Sequence, residues 1–307
     1  MRMSDRAWLY LSLLALIWGG GFVAVKSALA EMGPFASVFW RTGLGAASLW
    51  IAVAALRPAI PRDPGFWVAC AVMGLLNNVI PFTLMAWGQQ SIESGLTAIL
   101  NAASAVFGAA VAAAILPDER MTPRRAVGIG LGVAGVAAIT GPEALGGLDP
   151  RSLGQLAVLA GTLSYAFASV WGRLRLSGAS PLVNAAGMTT MAFATMIPLP
   201  LGVEGPPPIA LSPEAWGAAL YFGVLGTGVA YLLYYALMRE AGAANTMLVT
   251  LAIPPVAILA GWAALGERLS PGAYLGLGLI ALGLAVMDGR ALRGLRRPAP
   301  QRGRPDA

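Results

Sequence analysis

The sequence predicts an all-α integral membrane protein with ten transmembrane helices. Three observations support this prediction: only 11% of the 307 residues are charged, 57% are hydrophobic, and long runs contain no Asp, Glu, Lys or Arg. A soluble protein carries about a quarter charged residues, whereas a membrane helix needs about 20 mostly apolar residues. The single cysteine, Cys70, cannot form an intramolecular disulfide, which excludes a disulfide-stabilised secreted domain.

The ten predicted spans follow from the charge-free runs and from the turn residues between them, such as Arg57-Pro58 and Ser270-Pro271-Gly272. Ala28-Leu29-Ala30 resembles a signal-peptidase site, but the apolar run before it exceeds the roughly 7–15 residues of a signal peptide, so this run is predicted to be a retained span. The predicted spans are 7–25, 34–56, 64–92, 94–118, 126–142, 152–172, 176–203, 215–238, 241–266 and 269–287.

The distribution of basic residues predicts that both termini are cytoplasmic, in the plasma membrane of a bacterial cell, the inner membrane. With the N-terminus inside, most arginines fall in short inner loops or in the basic tail 291–307, which is predicted to be disordered. A net charge of +6 would also suit nucleic-acid binding. The position of the arginines instead favours contact with anionic lipid, so no nucleic-acid partner is predicted.

A repeat divides the chain into two halves of five spans, 1–145 and 146–290. Glu119-Arg120-Met121-Thr122-Pro123 recurs as Glu267-Arg268-Leu269-Ser270-Pro271, and the glycines that follow each segment keep the same register. Because each half has an odd number of spans, the halves must cross the membrane in opposite directions. Inverted repeats are a common plan of secondary transporters, whose substrate site lies near the midplane.

These residues resemble the drug/metabolite transporter superfamily, and within it the ten-helix EamA type. The resemblance rests on Trp18-Gly19 in the first span, on Pro34 with Arg41 in the second, and on the two Glu-Arg segments, and it covers residues 7–288. It implies two inverted five-helix repeats around a central cavity. It also implies export of amino acids and related metabolites, since the aromatic-rich interior is similar to that of the amino-acid exporters of the family.

Polar and aromatic residues near the predicted mid-depth are the candidates for substrate binding. In hydrocarbon such side chains must face other helices or water. Hydrogen bonding between helices is the alternative for each residue alone, but together they predict a cavity for small zwitterionic or amphipathic substrates. Asn78, Phe82 and Met85 share one helical face by their spacing. The candidate substrate-binding residues are Trp18, Asn78, Phe82, Asn101, Tyr165, Tyr231 and Tyr234.

Arg41 is the only charge predicted to lie deep in a span. A charge within the membrane is costly and usually functional. A substrate role and a structural role, by snorkelling to the interface or pairing with a carbonyl, both stay open. The structural role is favoured because the repeat counterpart of Arg41 is Met188.

Catalysis, cofactors and metals are not predicted. The chain has no histidine, which excludes Ser-His and Cys-His catalysis and histidine-based metal sites, and all 14 acidic residues fall in loops or at span ends. Gly130 to Gly135 match G-x-G-x-x-G but lie inside an apolar helix, so Gly128, Gly132 and Gly135 are predicted to allow close helix packing. Glu119 and Glu267 precede helices, and N-terminal capping is predicted for both.

The predicted function is export of small metabolites, above all amino acids including aromatic and apolar ones, by alternating access. Transport is predicted to be facilitated rather than proton-coupled, because no group in the substrate path titrates between pH 5 and 8. A sugar-phosphate or nucleotide-sugar exchanger is the alternative, although it would need several buried cations; a channel and a membrane-embedded enzyme are further alternatives. The predicted partners are a small-molecule substrate and the lipid bilayer, with the chain a monomer or weak homo-oligomer.

Overall fold

The computed structural model describes residues 3–141 and 149–289, and every regular element in these two segments is a helix. The predicted basic tail, 291–307, lies outside the described residues. A short helix, Ala243–Thr246, precedes the ninth long helix. The long helices, numbered in chain order, are α1 Asp5–Ala28, α2 Pro34–Leu56, α3 Pro64–Gly88, α4 Ser94–Ile115, α5 Pro123–Thr140, α6 Pro150–Arg175, α7 Pro181–Val203, α8 Pro213–Ala241, α9 Val249–Leu265 and α10 Pro271–Asp288.

Eight of these helices are long and apolar enough to cross a membrane, where the sequence predicts ten spans. The two that fall short are α5, which begins with Pro123 and two arginines, and α9, which has 17 residues. The predicted span 241–266 is shorter in the structure because the chain leaves the helix after Thr246 and re-enters it at Val249.

Local sequence explains where the helices begin. Seven of the ten start with proline, whose missing N–H group has no intrahelical partner at that position in any case. The residue before four of these prolines accepts a hydrogen bond from a backbone N–H of the first turn through its side chain, which stabilises the start of the helix. These capping residues are Asp63, Thr122, Asp149 and Ser212.

Helices of the two halves interleave around the middle of the molecule. Helix α1 packs against α8 and α9, α2 against α7 and α8, and α6 against α3 and α4. Helices α5 and α10 pack mainly along each other, beside α4. A Cβ atom on Gly135 would lie 2.8 Å from the carbonyl oxygen of Gly276, and one on Gly128 would lie 2.6 Å from that of Gly283. The predicted packing role of these glycines is therefore confirmed.

Eight connections between helices, all within the described residues, lie at two ends of the molecule. We call one the Glu267 end; it holds the α1–α2, α3–α4, α7–α8 and α9–α10 connections, which contact one another through Glu31, Glu204 and Glu267. We call the other the Arg173 end; it holds the α2–α3, α4–α5, α6–α7 and α8–α9 connections, and there Arg173 pairs with Asp118 and Glu119.

Candidate functional site

A cavity of about 920 Å³ lies between helices of the first half of the chain and helices of the second. Its walls are mostly apolar and aromatic, with a few amide, hydroxyl and guanidinium groups, which is the usual character of a small-molecule site. The central lining residues are Trp18, Phe22, Arg41, Asn77, Phe82, Met85 and Asn101 from the first half, and Tyr165, Met188, Thr227, Tyr231, Tyr234, Tyr235 and Thr250 from the second.

The cavity extends to the Arg173 end of the molecule. Arg173, Ser177 and Thr246, which lie in or beside the connections at that end, belong to its lining. Of the described residues in the four connections at the Glu267 end, only Gln89 lines it, and this side chain is fully buried, whereas Arg173 and Ser177 are exposed. The exposed part of the cavity lining therefore lies toward the Arg173 end.

Two carboxylates of the second half close the Glu267 end by binding the starts of first-half helices. Glu267 accepts bonds from the Ser94 backbone N–H, at 2.9 and 3.0 Å, and from the Ser94 hydroxyl, at 2.6 Å. Glu204 accepts bonds from the N–H groups of Phe35 and Ala36, at 3.0 and 2.9 Å. A helix start offers unpaired N–H groups and a positive dipole end, so both contacts are charge-assisted.

Glu31 makes the reciprocal contact, from the first half to the start of α8. It accepts a bond from the Ser212 N–H at 2.8 Å and another from the Ser212 hydroxyl. The hydroxyl and then the N–H hold the pKa of the Glu31 carboxyl below its usual value. Lys26 adds a contact within the first half, donating to the carbonyl oxygens of Gln89 and Ile92 at 2.5 and 2.7 Å.

The predicted capping role is wrong in its detail for both glutamates. Glu267 caps α4 in the other half rather than α10, because the left-handed turn at Gly266 (φ 65°) turns the chain back before Glu267. Glu119 caps no helix among the described residues; it pairs with Arg125 and Arg173. The Arg125 side chain, followed by Arg173, holds the pKa of the Glu119 carboxyl below its usual value.

Trp18 lies where α1 meets a π-helical segment of α8, Tyr221–Val229. In such a segment the backbone N–H bonds the carbonyl five residues earlier, which alters the carbonyl pattern of the helix. The Trp18 indole N–H donates to the carbonyl oxygen of Gly226 at 3.0 Å, and its ring lies 5.9 Å from the ring of Tyr234. Both rings face the cavity.

A second π-helical segment, Leu75–Val79, shapes the α3 wall. Pro81 follows it and has no N–H, so it cannot bond the Leu76 carbonyl five residues earlier. The Ser164 hydroxyl of α6 donates to that carbonyl oxygen instead, at 2.7 Å. The neighbouring Asn77 side chain points across the cavity and donates to the Tyr231 hydroxyl at 3.1 Å.

Arg41 is in the first half of α2, and its guanidinium carbon lies 3.6 Å from the centroid of the Phe82 ring. Its Nε atom is buried and has no hydrogen-bond partner among the described residues. Tyr165 and Tyr231 line the same cavity as Arg41. The lining within the described part of the chain contains no Asp or Glu.

The structure brings most of the predicted site residues to one cavity. Trp18, Phe82, Asn101, Tyr165, Tyr231, Tyr234 and Arg41 all line it. Asn78 does not: it is fully buried, and its amide atoms have no partner among the described residues. The π-helical turn adds one residue between this segment and Phe82, so Asn77 takes the place that regular helical spacing gives to Asn78.

Sequence reasoning also missed Gln89, Asn184 and Met188, which line the cavity. Gln89 is fully buried near the Glu267 end, and its amide donates to the carbonyl oxygen of Phe22 at 3.0 Å. Gln89 stands near the end of a predicted span, so its position in the sequence did not indicate that its side chain lines the cavity. For Asn77 a signal did exist: Pro81 disturbs the helix at the carbonyls four and five residues before it.

One family model, described as the EamA-like transporter family, matches residues 6–141 and matches residues 152–287. The chain belongs to the EamA-like transporter family. It is therefore a multi-pass membrane transporter of the drug/metabolite transporter superfamily, as the resemblance in its sequence predicts. Membership argues against the alternative of a membrane-embedded enzyme.

Relatives of this EamA-like transporter match it over nearly their full length. "Uncharacterized transporter YoaV" of Bacillus subtilis is 24% identical, over 88% of this chain and 92% of that protein. "Probable terminal-alkyne amino-acid exporter" of Streptantibioticus cattleyicolor is 27% identical, over 99% and 100%. A solved crystal structure of a protein with 22% identity superposes with a TM-score of 0.67, covering 95% of this chain and 99% of that one, which supports the fold.

Proposed function

We propose that this transporter exports small metabolites, above all amino acids, from the cytoplasm by alternating access. The single observation that carries the proposal is the cavity, which both halves of the chain line and whose exposed lining residues lie toward the Arg173 end. The named amino-acid exporter among the relatives supports the substrate class. The position of the arginines supports both termini and the Arg173 end on the cytoplasmic side, and the bacterial relatives support the plasma membrane of a bacterial cell, the inner membrane.

The proposal includes ten spanning helices in two inverted repeats, 1–145 and 146–290, with α5 and α9 as the additional spans. Two observations support the repeat. The same family model matches a segment in each half. The π-helical segments, Leu75–Val79 and Tyr221–Val229, follow Pro64 and Pro213 at similar distances within the third helix of each half.

Cysteine labelling tests the topology. In a Cys70→Ser background, Thr122→Cys at the Arg173 end and Ser270→Cys at the Glu267 end are labelled with a membrane-impermeant maleimide in intact cells. We expect only position 270 to react from outside, because the two connections lie at opposite ends of the molecule. Equal labelling of both positions from one side would contradict the inverted repeat.

Transport in proteoliposomes tests the function. A panel of labelled amino acids, with sugar phosphates as comparison substrates, is assayed for exchange in the absence of a pH gradient. We expect saturable exchange of amino acids, reduced roughly tenfold or more by Trp18→Ala or Tyr231→Ala because each removes a wall of the site. Ile51→Ala, on a side chain of α2 that is 71% exposed, is the control and retains exchange. Preference for sugar phosphates, or equal effects of all three variants, would refute the assignment.

A further inference from the structure

The strongest unexplained feature of the cavity is the unpaired charge of Arg41. Its buried Nε atom has no acceptor, and none of the described residues forms an ion pair or hydrogen bond with its side chain. Lys26 bonds carbonyl oxygens, and Arg173, the other cation of the lining, pairs with Asp118 and Glu119. Arg41 alone brings a positive charge to the cavity that the described part of the chain leaves unbalanced.

The surroundings of Arg41 do not offset the cost of placing a cation there. The guanidinium lies on the face of Phe82, but the attraction to one ring is weaker than the loss of hydration of a buried ion. Snorkelling does not apply, because the side chain lies against Phe82 and lines the central cavity together with Tyr165 and Tyr231. The charge therefore has the arrangement of a ligand-binding group.

The other walls limit what the ligand can be. Trp18, Phe22, Tyr234 and Tyr235 supply aromatic surface around the site. No lining residue within the described segments carries a carboxylate that could hold an ammonium group. An anionic head with an aromatic or apolar body matches this lining, whereas a cation meets an uncompensated like charge.

We propose that Arg41 binds the carboxylate of the transported molecule and that the site selects aromatic monocarboxylates, without requiring an amino group. A guanidinium presents paired N–H donors that match the two oxygens of a carboxylate. Phe82 lies against the guanidinium, and the hydrogen-bonded pair of Asn77 and Tyr231 lines the same cavity. The inference rests on the proposed transport function and narrows its substrate class.

Binding of four compounds with one aromatic ring tests the inference. The probes are 3-phenylpropionate, L-phenylalanine, L-phenylalaninamide and phenethylamine, measured with the purified full-length protein by quenching of tryptophan fluorescence. We expect 3-phenylpropionate to bind at least as tightly as phenylalanine, and both to bind roughly tenfold or more tightly than the amide and the amine, since a charged hydrogen-bonded pair is lost.

Variants at position 41 test whether Arg41 causes the tighter binding of the carboxylates. Arg41→Met should weaken both carboxylates roughly 10- to 100-fold and leave the amine unchanged or stronger, and Arg41→Lys should restore part of the affinity. Methionine stands at the repeat counterpart, Met188, in the same cavity, so the substitution suits this kind of position. Arg62→Met removes an exposed charge in the α2–α3 connection and is the matched control.

The outcomes separate this inference from the proposed function. Failure of 3-phenylpropionate to bind the wild-type protein, or equal loss of all four probes in a monodisperse Arg41→Met protein, would overturn the inference. Amino-acid exchange that Arg41→Met leaves intact would also overturn it, while the proposed function would stand. Carboxylate binding that depends on Arg41 without any exchange in proteoliposomes would support the site and contradict transport.

Discussion

The two ends of the molecule hold the halves together by partly different contacts. At the Glu267 end, Glu31, Glu204 and Glu267 each bind backbone N–H groups at the start of a helix from the other half. At the Arg173 end, three side chains join the halves, Arg173 with Asp118 and Glu119, and Arg173 also lines the cavity. An ion pair between side chains also joins the halves at the Glu267 end, Arg151 with Glu93, so the carboxylates on helix starts are what distinguishes that end among the described residues.

Glu267 and Glu119 make the comparison sharp, because both stand in a Glu-Arg-x-Thr/Ser-Pro segment. Glu267 binds the start of α4 in the other half, whereas Glu119 pairs with Arg125 and Arg173. The residue before each glutamate also differs: the left-handed Gly266 precedes Glu267, whereas Asp118 precedes Glu119. On the proposed alternating access, we infer that Glu119 binds the start of α9 when the Arg173 end closes.

The largest effect is expected from removing the Glu267 contact. Thr97 is fully buried one turn into α4, so Thr97→Cys, with Cys70→Ser, reports opening of the Glu267 end by its reaction with a maleimide. Glu267→Ala removes a charge-assisted contact that stabilises closure by about 2 kcal/mol. Labelling in detergent should therefore become roughly 30-fold faster.

Glu214→Ala is the matched control for this prediction. Glu214 lies in the first turn of α8 at the same end and is exposed. Its substitution should change the labelling rate by less than about twofold, as for most surface positions. If Glu267→Ala and Glu214→Ala gave the same rate, the Glu267 carboxylate would not be what closes this end.

A smaller effect is expected from Glu119→Gln. Because Glu119 is proposed to act only when the Arg173 end closes, exchange in proteoliposomes should slow roughly five- to tenfold, while labelling of the cysteine introduced by Thr97→Cys stays near the rate without the Glu119 change. Asp118→Asn is the control, because Asp118 also pairs with Arg173 but is not proposed to bind the start of α9. Equal slowing by both variants would assign the effect to the Arg173 pair alone.

Most helices could be predicted from the sequence because charge and hydropathy act locally. Proline and a capping side chain mark the start of α3, α5, α6 and α8, and the charge-free runs give their lengths. The break between Thr246 and Val249 carries no charge, so the sequence extends α9 too far. The inverted relation of the two halves stays a prediction.

The site was harder to predict because it depends on contacts between distant segments. The position of Trp18 and Tyr231 near the middle of their predicted spans was enough to predict that these aromatic residues line the cavity. Asn77 rather than Asn78 lines the cavity because of one π-helical turn, which the Ser164 hydroxyl of another helix stabilises. Glu267 likewise caps α4, which is far from it in the sequence, and helical spacing gives no information about such a contact.

The smallest effect is expected from pH. The Ser212 hydroxyl lowers the pKa of Glu31 at one end, and Arg125 lowers that of Glu119 at the other, each from an ordinary value of 4.5. A lowered pKa means that the contact contributes fully above the ordinary value and is lost only as the pH falls through the lowered one. The contacts of Glu31 and Glu119 should therefore both be kept from about pH 5.5 to about pH 8.

Exchange in proteoliposomes tests this expectation. With equal pH on both sides of the membrane, exchange should vary by less than about twofold over this range, since no described lining residue is acidic. A steep slope, or accumulation driven by an imposed pH gradient, would show that a carboxylate at one end takes part in proton coupling.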